Sequence, residues 1–432
     1  MIADPLKLAP RFEALLGAEW VTVAGTSRWT VEGLTPGLAV RPGDAEQVGA
    51  ILRLCGESGA AVVPWGGGTA IEVGNAPRAA HVVLLTDRLS GLVEHDAANL
   101  TATVGAGMTL GELEGVISTG GQFFPLEPPR AESATAGGAV AANLNGPRRA
   151  YCGSTRDLVI GARAAQADGT LIKAGGKTVK NVAGYDMCKL LVGSLGTLGV
   201  LTELTLRLLP VPEFSRTVAI WGADPSDLLR LSGRVLASLL LPAAVTVVDA
   251  VAAGALGRNA AGLLVRATGF EAAVARQVRD VTAWAAQAAL DVETLEGEAE
   301  GALWRTIRDF AWQGDGIAIR VAVPSGEVPP VLARLRSIAP DSTGVVAHTA
   351  SGTIWIHADP AGFTAAALGA LREISVGHSG NMLVARAPRD LKAAGDVWAP
   401  APQVRTLEIM RAIKQAFDPN GILNPGRFVA GL

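Results

Sequence analysis

The spacing of apolar and polar positions changes several times along the chain, and each change predicts an element. Arg41-Pro42-Gly43-Asp44 reads as a turn with Asp44 as helix N-cap, and Val48, Ile51, Leu52 and Cys55 then recur on one helical face between Ala45 and Cys55. Ala61-Val62-Val63-Pro64 is a short unbroken apolar run, the mark of a buried strand. His81–Leu85 and Leu100–Gly107, rich in Val, Leu and Thr, predict strands around a polar turn. Gly161–Lys173 reads as a hairpin with Asp168-Gly169 as a type I′ turn. Leu201–Leu208 alternates with Thr202, Thr205 and Arg207 as a half-exposed strand, and Pro210 and Pro212 close this region. From about residue 213 strand-like runs at 216–221, 244–249, 262–268, 316–323, 343–348 and 353–357 alternate with amphipathic stretches such as Glu271–Leu290 and Val328–Ile338. That order predicts an antiparallel sheet covered by helices. Trp304–Trp312 reads as a core helix. Leu407–Phe417 reads as a helix with Ile409, Met410, Ile413 and Phe417 on its apolar face, stopped by Asp418-Pro419-Asn420-Gly421.

Glycine punctuates the first of these regions. P-W-G-G-G-T at 64–69, A-T-A-G-G at 134–138, N-L-N-G-P-R-R at 143–149 and G-S-L-G-T-L-G-V at 193–200 read as one binding surface, because glycine takes positive φ and lets backbone N–H groups approach a ligand. A diphosphate is the expected guest, and a side chain at Gly67 is expected to occupy its space. Taken alone, Gly66–Gly68 reads equally as a plain surface turn. Ala139–Asn143 reads as a packed Ala-rich helix with Thr135–Gly138 at its N-terminus, an anion site by the helix dipole. The common nucleotide fingerprints are incomplete. Gly105 and Gly107 begin a G-x-G whose third glycine is replaced by Leu110, and Gly176-Lys177-Thr178 lacks the Walker A glycine, since Leu171 stands there.

A chain of 432 residues exceeds one ordinary core, so two domains are expected. A net charge of −3 with 18% charged residues supplies no basic field for nucleic acid or an anionic membrane. Cys55, Cys152 and Cys188 are odd in number and lack C-x-x-C spacing, which argues against a disulfide framework, a zinc site or an iron–sulfur cluster. Asp4, Lys7, Arg11 and Glu13 interrupt any signal-peptide core, and the longest apolar run, Val235–Val248, is broken by Ser238, Pro242 and Thr246. A cytoplasmic protein is expected, reaching an inner membrane only through partners.

Pro64–Thr69, the T-A-G-G at 135–138, the G-S-L-G-T-L-G-V and the D-P-N-G-I-L-N-P-G at 418–426 together resemble the FAD-linked oxidases of the vanillyl-alcohol oxidase type. Within that family, G-P-R-R (146–149), G-S-T-R-D (153–157) and K-N-V-A-G-Y-D (180–186) most resemble the FAD-binding subunit of bacterial glycolate oxidase, the GlcE type. The resemblance implies an α+β fold. A PCMH-type FAD-binding domain of two α+β subdomains takes residues 1–212, an antiparallel-sheet α+β cap takes 213–386, and the segment 387–432 returns to the FAD domain. The implied FAD contacts are Pro64, Gly66, Gly67, Gly68 and Thr69 in the first turn, and Thr135, Gly137 and Gly138 in the second. Asn143, Gly146 and Gly153 follow, then Gly196, Gly199 and Val200 on the adenine and ribose side, and Asn424 at the isoalloxazine edge. Trp65–Ile71 contains no histidine or cysteine for covalent attachment, so the FAD is expected to be noncovalent.

The resemblance further implies a glycolate oxidase complex, with a paralogous FAD-binding catalytic subunit, an iron–sulfur subunit and a small 2-hydroxy acid as substrate. A self-sufficient 2-hydroxy-acid (D-lactate type) dehydrogenase and a non-catalytic scaffold remain open beside it. No catalytic residue is assigned and no metal is expected. The cap histidines His348, His357 and His378 lack the asparagine and acidic companions of the family's metal signature and read as strand-edge residues, as His81 and His95 read as solvated turn residues. Arg148, Arg149 and Arg156 read equally as a clamp for a carboxylate or phosphate and as ion-pair partners of Asp157 or Glu132. Lys177, Lys180 and Asn181 form a second polar group.

Overall fold

The computed structural model describes residues 5–177 and 185–432, so the expectations placed on Lys180 and Asn181 lie outside it. The chain forms two compact units, one of residues 1–144, 155–210 and 401–432, the other of residues 145–154 and 211–400. Among the described residues no helix is long and apolar enough to cross a membrane.

Two larger sheets, beside a two-stranded pairing of Gln122–Phe123 with Leu209–Pro210, make up the described strands of the first unit. In one, the strands Val21–Thr22, Leu38–Val40, Val82–Leu85 and Val62–Trp65 lie side by side in that order, the last three parallel. Parallel strands need a crossover, which the helix Ala45–Ser58 supplies. Its start is capped by Asp44, whose side chain accepts the Gln47 N–H at 2.7 Å, and Gly59 ends it in the left-handed region at φ 68°. The predicted face, Val48, Ile51, Leu52 and Cys55, is fully buried against the sheet. In the other sheet Leu92–Asp96, Thr101–Gly105, Val200–Arg207, Val159–Ala165 and Leu171–Gly175 run antiparallel in that order.

Two local expectations are corrected here. Val82–Leu85 and Thr101–Gly105 join different sheets, and the stretch between them holds the strand Leu92–Asp96, whose L-V-E-H-D sequence hides an exposed edge strand. The turn at Asp168-Gly169 is not type I′, because only Gly169 has positive φ (85°). Its N–H donates to Gln166 O at 2.9 Å and Asp168 Oδ1 takes the Thr170 N–H at 2.8 Å, as in a type I turn closed by a glycine bulge.

The C-terminal segment folds onto the first unit as an added parallel bridge. Val62 N–H donates to Ile422 O at 2.7 Å and Asn424 N–H to Val62 O at 2.9 Å. The preceding helix runs from Val404 to Phe417, and its inner face differs from the predicted one. Ile409 is 56% exposed, while Ile413 and Phe417 pack on the core beside a part-buried Lys414.

The second unit is a nine-stranded antiparallel sheet in the order Asp291–Glu296, Phe214–Gly222, Ala261–Gly269, Ala244–Val248, Gly344–His348, Thr353–Ala358, Ile317–Ala322, Asn381–Arg386 and Trp398–Ala399. One face (Val218, Ile220, Val245, Val247, Leu263, Val265) is buried under helices Pro225–Leu236 and Glu271–Gln287. The opposite face sets polar side chains among apolar ones such as Leu264, Val248 and Trp355. Thr217 and Arg266 there meet Glu300 of helix Gly297–Asp309, and Thr246 Oγ1 bonds His348 Nδ1 at 2.9 Å. The predicted helix at 304–312 is therefore the end of a longer one, finished by a 3-10 turn at Phe310–Trp312. Residues 145–154 cluster with this unit rather than with residues 1–144, because their short helix Arg149–Cys152 packs on Ala244–Val248.

Candidate cofactor cleft

A cleft in the first unit is lined mainly by four separate pieces of chain, with Thr86 and Ala106 added from two others. Its walls are the turn after strand Val62–Trp65, with Pro64, Gly66, Gly67, Gly68 and Thr69; the start of helix Ala136–Ala142, with Thr135, Gly137 and Gly138; the segment Leu195–Leu201, with Gly196, Gly199 and Val200; and Asn424 and Arg427 from the tail. Asn143 is not a lining residue. It ends the helix in the left-handed region at φ 52°, and its side chain lies under Gly193. Gly146 and Gly153 belong to the second unit.

The main-chain donors divide sharply between the two glycine segments. Ala136 N–H donates to Met108 O at 2.8 Å, Gly137 N–H to Ala106 O at 2.8 Å and Gly138 N–H to Thr135 Oγ1 at 3.2 Å. The helix N-terminus is thus consumed by the fold, and the expected dipole-based anion site there is corrected: those glycines serve close packing. At the 66–70 turn the opposite holds. Among the described residues the N–H groups of Gly66, Gly67, Gly68, Thr69 and Ala70 have no intramolecular acceptor. Successive free N–H groups in one turn form an anion-binding concavity.

The glycines of that turn are also explained differently from the sequence expectation. A Cβ on Gly67 would run into the Ser133 carbonyl and one on Gly66 into Thr135 Oγ1, so a side chain at Gly67 meets protein rather than the diphosphate space. Gly68 is needed for its φ of 71°, with the Trp65 ring 2.9 Å from a would-be Cβ.

The tail adds two polar groups with unused capacity. Asn424 is 5% exposed and adopts φ 41°; its Nδ2 donates to Leu195 O at 2.7 Å, and its Oδ1 is buried without a partner. Arg427, 2% exposed, was missed by the sequence reading, although it directly follows the N-P-G that carries Asn424. Its Nη2 donates to Ile71 O and, at 2.6 Å, to Val73 O, holding the far end of the glycine turn, while Nε and Nη1 are buried with no acceptor. Burial pushes its guanidinium down to about 10, against the raising effect of Glu32 and Glu72, so it is charged at neutral pH. Free N–H donors, a buried cation and an unpartnered amide oxygen in one cleft fit a ligand that is anionic at one point and carries N–H groups at another. FAD has both features.

The remaining candidates disperse. Arg148 and Arg149 lie in the second unit and Arg156 in the first, where it donates to Lys189 O at 3.1 Å. Lys177 pairs with Glu94. His81 is no solvated residue, since its Nδ1 takes the Ala61 N–H at 2.8 Å, and His95 bonds Gln122 at 2.9 Å. His348 is bonded to Thr246, His357 stands edge-on to Phe310 and His378 bonds Glu327.

Residues 36–175 match the FAD binding domain model and residues 402–428 the C-terminal domain of FAD linked oxidases. Glycolate oxidase subunit GlcD of Bacillus subtilis is 28% identical over 91% of this chain and 89% of its own, and D-lactate dehydrogenase of Archaeoglobus fulgidus is 29% identical over 91% and 92%. Glycolate oxidase subunit GlcE of Escherichia coli is 46% identical, but over only 29% of this chain and 36% of its own. Among solved structures, p-cresol methylhydroxylase with substrate bound superposes with a TM-score of 0.76 at 16% identity, covering 98% of this chain and 96% of that one. The chain thus has the PCMH-type FAD-binding fold with FAD as its cofactor, and its tail matches the C-terminal domain of FAD linked oxidases.

Proposed function

We propose that this chain is the FAD-carrying subunit of a glycolate-oxidase-type complex that oxidises a 2-hydroxy acid to its 2-oxo acid. The observation that carries the reading is that the relatives aligned over nine-tenths of the chain are named for glycolate and D-lactate, both 2-hydroxy acids. The high local identity to the GlcE subunit favours the complex over a lone enzyme. FAD, when bound, accepts two electrons and releases them singly.

The protein's part is to hold and orient. The free N–H groups of residues 66–70 receive the anionic diphosphate, Arg427 fixes that turn through Ile71 O and Val73 O, and the Asn424 side chain is held by Leu195 O with its Oδ1 toward the ligand. With no histidine or cysteine in Trp65–Ile71, the FAD is noncovalent. Three cysteines without cluster spacing leave the onward electron path to an iron–sulfur partner, with a paralogous FAD-binding subunit as the other member.

A second reading, a self-sufficient dehydrogenase of the D-lactate type, draws on the alignment to the Archaeoglobus enzyme over 92% of its length. Flavin content and dye reduction with glycolate and D-lactate, measured on the chain alone and with co-purifying partners, separate the two. Turnover only in the complex supports the subunit; rapid flavin bleaching by the chain alone supports the self-sufficient enzyme.

A further inference from the structure

The nine-stranded sheet is assembled from two halves of the same design. Apart from the short helix Ala250–Gly254, residues 214–296 and residues 317–386 each run strand, helix, strand, strand, helix, strand. From its outer edge inward, each half sets its fourth, first, third and second strands side by side. The halves meet at their second strands, Ala244–Val248 and Gly344–His348, through a short antiparallel pairing at 246–248. Each half covers one sheet face with its own helices. Pro225–Leu236 packs with Glu271–Gln287, and Val328–Ile338 with Ala365–Gly377. Over the seam the helical layer parts. Leu229 and Leu332, each the fifth residue of its helix, are only half-buried and line a pocket of about 410 Å³ together with Val247 and Val345 of the sheet. Interiors are close-packed with few voids wider than a water molecule, so a ligand-sized space between valines and leucines leaves apolar surface that a ligand's body would cover.

One end of this space is polar. Pro225, Asp249 and Arg336 also line a second lobe of about 380 Å³, which continues to Asn259 and Asp341. Asp249 N–H donates to Val345 O at 3.1 Å; its Oδ1 takes the Ala252 N–H at 2.7 Å, and its Oδ2 pairs with Arg336. Arg336 Nη1 donates to Thr343 O at 3.3 Å. Burial lifts the Asp249 carboxyl above its ordinary range, against the Ala252 N–H and the Arg336 guanidinium, so this corner is shielded from water. Arg230, at the rim, pairs with Asp227. Among the described lining residues of the two lobes, Asp341 is then the one charge left uncommitted, and the Asn259 side chain beside it in the lining is uncommitted too. A free carboxylate and a free amide oxygen call for a donor with positive charge.

We propose that the seam between the two halves of the sheet binds a small amphipathic amine, its apolar body between Leu229 and Leu332 and its ammonium group on Asp341 and Asn259. The site lies wholly within the second unit and does not rest on the function proposed above.

The test titrates the purified, flavin-loaded protein with phenethylamine, following calorimetric heat and melting temperature, with flavin absorbance recorded separately. 3-Phenylpropionate, with the same body and the opposite charge, and methylammonium, the head alone, are the controls. Stabilisation by phenethylamine and by neither control is expected. Leu229→Trp, at a half-buried position, fills the apolar lobe and should weaken phenethylamine binding about tenfold or more without lowering the melting temperature. Asp341→Asn, at an exposed position that leaves folding intact, should weaken it about fivefold, and Asp341→Glu should restore most of the loss. No heat from phenethylamine overturns the proposal, as does equal stabilisation by 3-phenylpropionate. Unchanged affinity in both Leu229→Trp and Asp341→Asn overturns it as well. An amine that perturbs the flavin spectrum and binds Leu229→Trp as tightly as wild type sits in the cofactor cleft instead.

Discussion

Lys414 Nζ lies 2.6 Å from Asp418 Oδ2, one helical turn apart, and the pair fastens two pieces of the cleft, the 195–201 segment and the tail, to the helix Val404–Phe417. Lys414 also donates to Thr197 O at 2.8 Å and Leu423 O at 3.0 Å, and the Asp418 carboxylate accepts the Ile422 and Leu423 N–H groups at 2.9 Å each. With Asp418 2% exposed, breaking the pair strands a buried charge. Asp418→Asn is therefore expected to cost about 3 kcal/mol, at the low end for a buried pair, because Lys414 keeps its two carbonyls. Urea unfolding of the flavin-loaded protein measures it; a loss below about 1 kcal/mol would show the pair to be an ordinary surface contact.

The glycine turn supplies a contrast between two substitutions. Gly67→Ala drives a Cβ into the Ser133 carbonyl and should lower both flavin retention and melting temperature. Gly138→Ala meets only Thr135 Oγ1, at 3.0 Å, and should keep its flavin. Flavin-to-protein absorbance ratios decide; equal retention would mean that the backbone packing described here does not shape the cleft.

How far this site was legible in the sequence is seen at the same residues. Pro64–Thr69, Thr135–Gly138, Gly196–Val200 and Asn424 were readable because glycine and Asn-Pro-Gly mark unusual backbone. What each glycine does was not readable, since Gly67 answers to Ser133 and Gly137 to Ala106, contacts set only by the tertiary fold. Arg427 was invisible for another reason: an arginine near a C-terminus looks solvated until its burial is known. The strands around Val218 and Val245 showed through their apolar runs, whereas the edge strands Leu92–Asp96 and Asp291–Glu296, with acidic residues on a solvent side, did not.

Removing the tail gives a third expectation. A chain ending at Pro400 lacks the bridge from Val62 to Ile422 and Asn424 and loses Arg427 with it. It should purify without flavin and melt earlier. Retention of FAD at full occupancy by this truncation would contradict the role given to the tail.

Cysteine chemistry is expected to be quiet in the interior. Burial pushes the Cys55 thiol up to about 12, and burial with the Asp186 charge pushes Cys188 up to about 11. The thiolate is the reactive form, so iodoacetamide at pH 8 should leave both unmodified in the native protein and label them after denaturation. Peptide mass spectrometry reads the result; native labelling of Cys55 would show that the packing around helix Ala45–Ser58 opens.

The claim everything else leans on is that the cleft joining residues 66–70, Asn424 and Arg427 is where FAD sits. Acid-stripped protein titrated with FAD, followed by flavin fluorescence, tests it most directly. Wild type should bind one FAD per chain and release it on acid precipitation, whereas Asn424→Ala and Arg427→Met should each weaken binding about tenfold or more, roughly 1.4 kcal/mol per tenfold step. Unchanged affinity in both variants, with the fold intact by circular dichroism, would place the cofactor elsewhere and contradict the account.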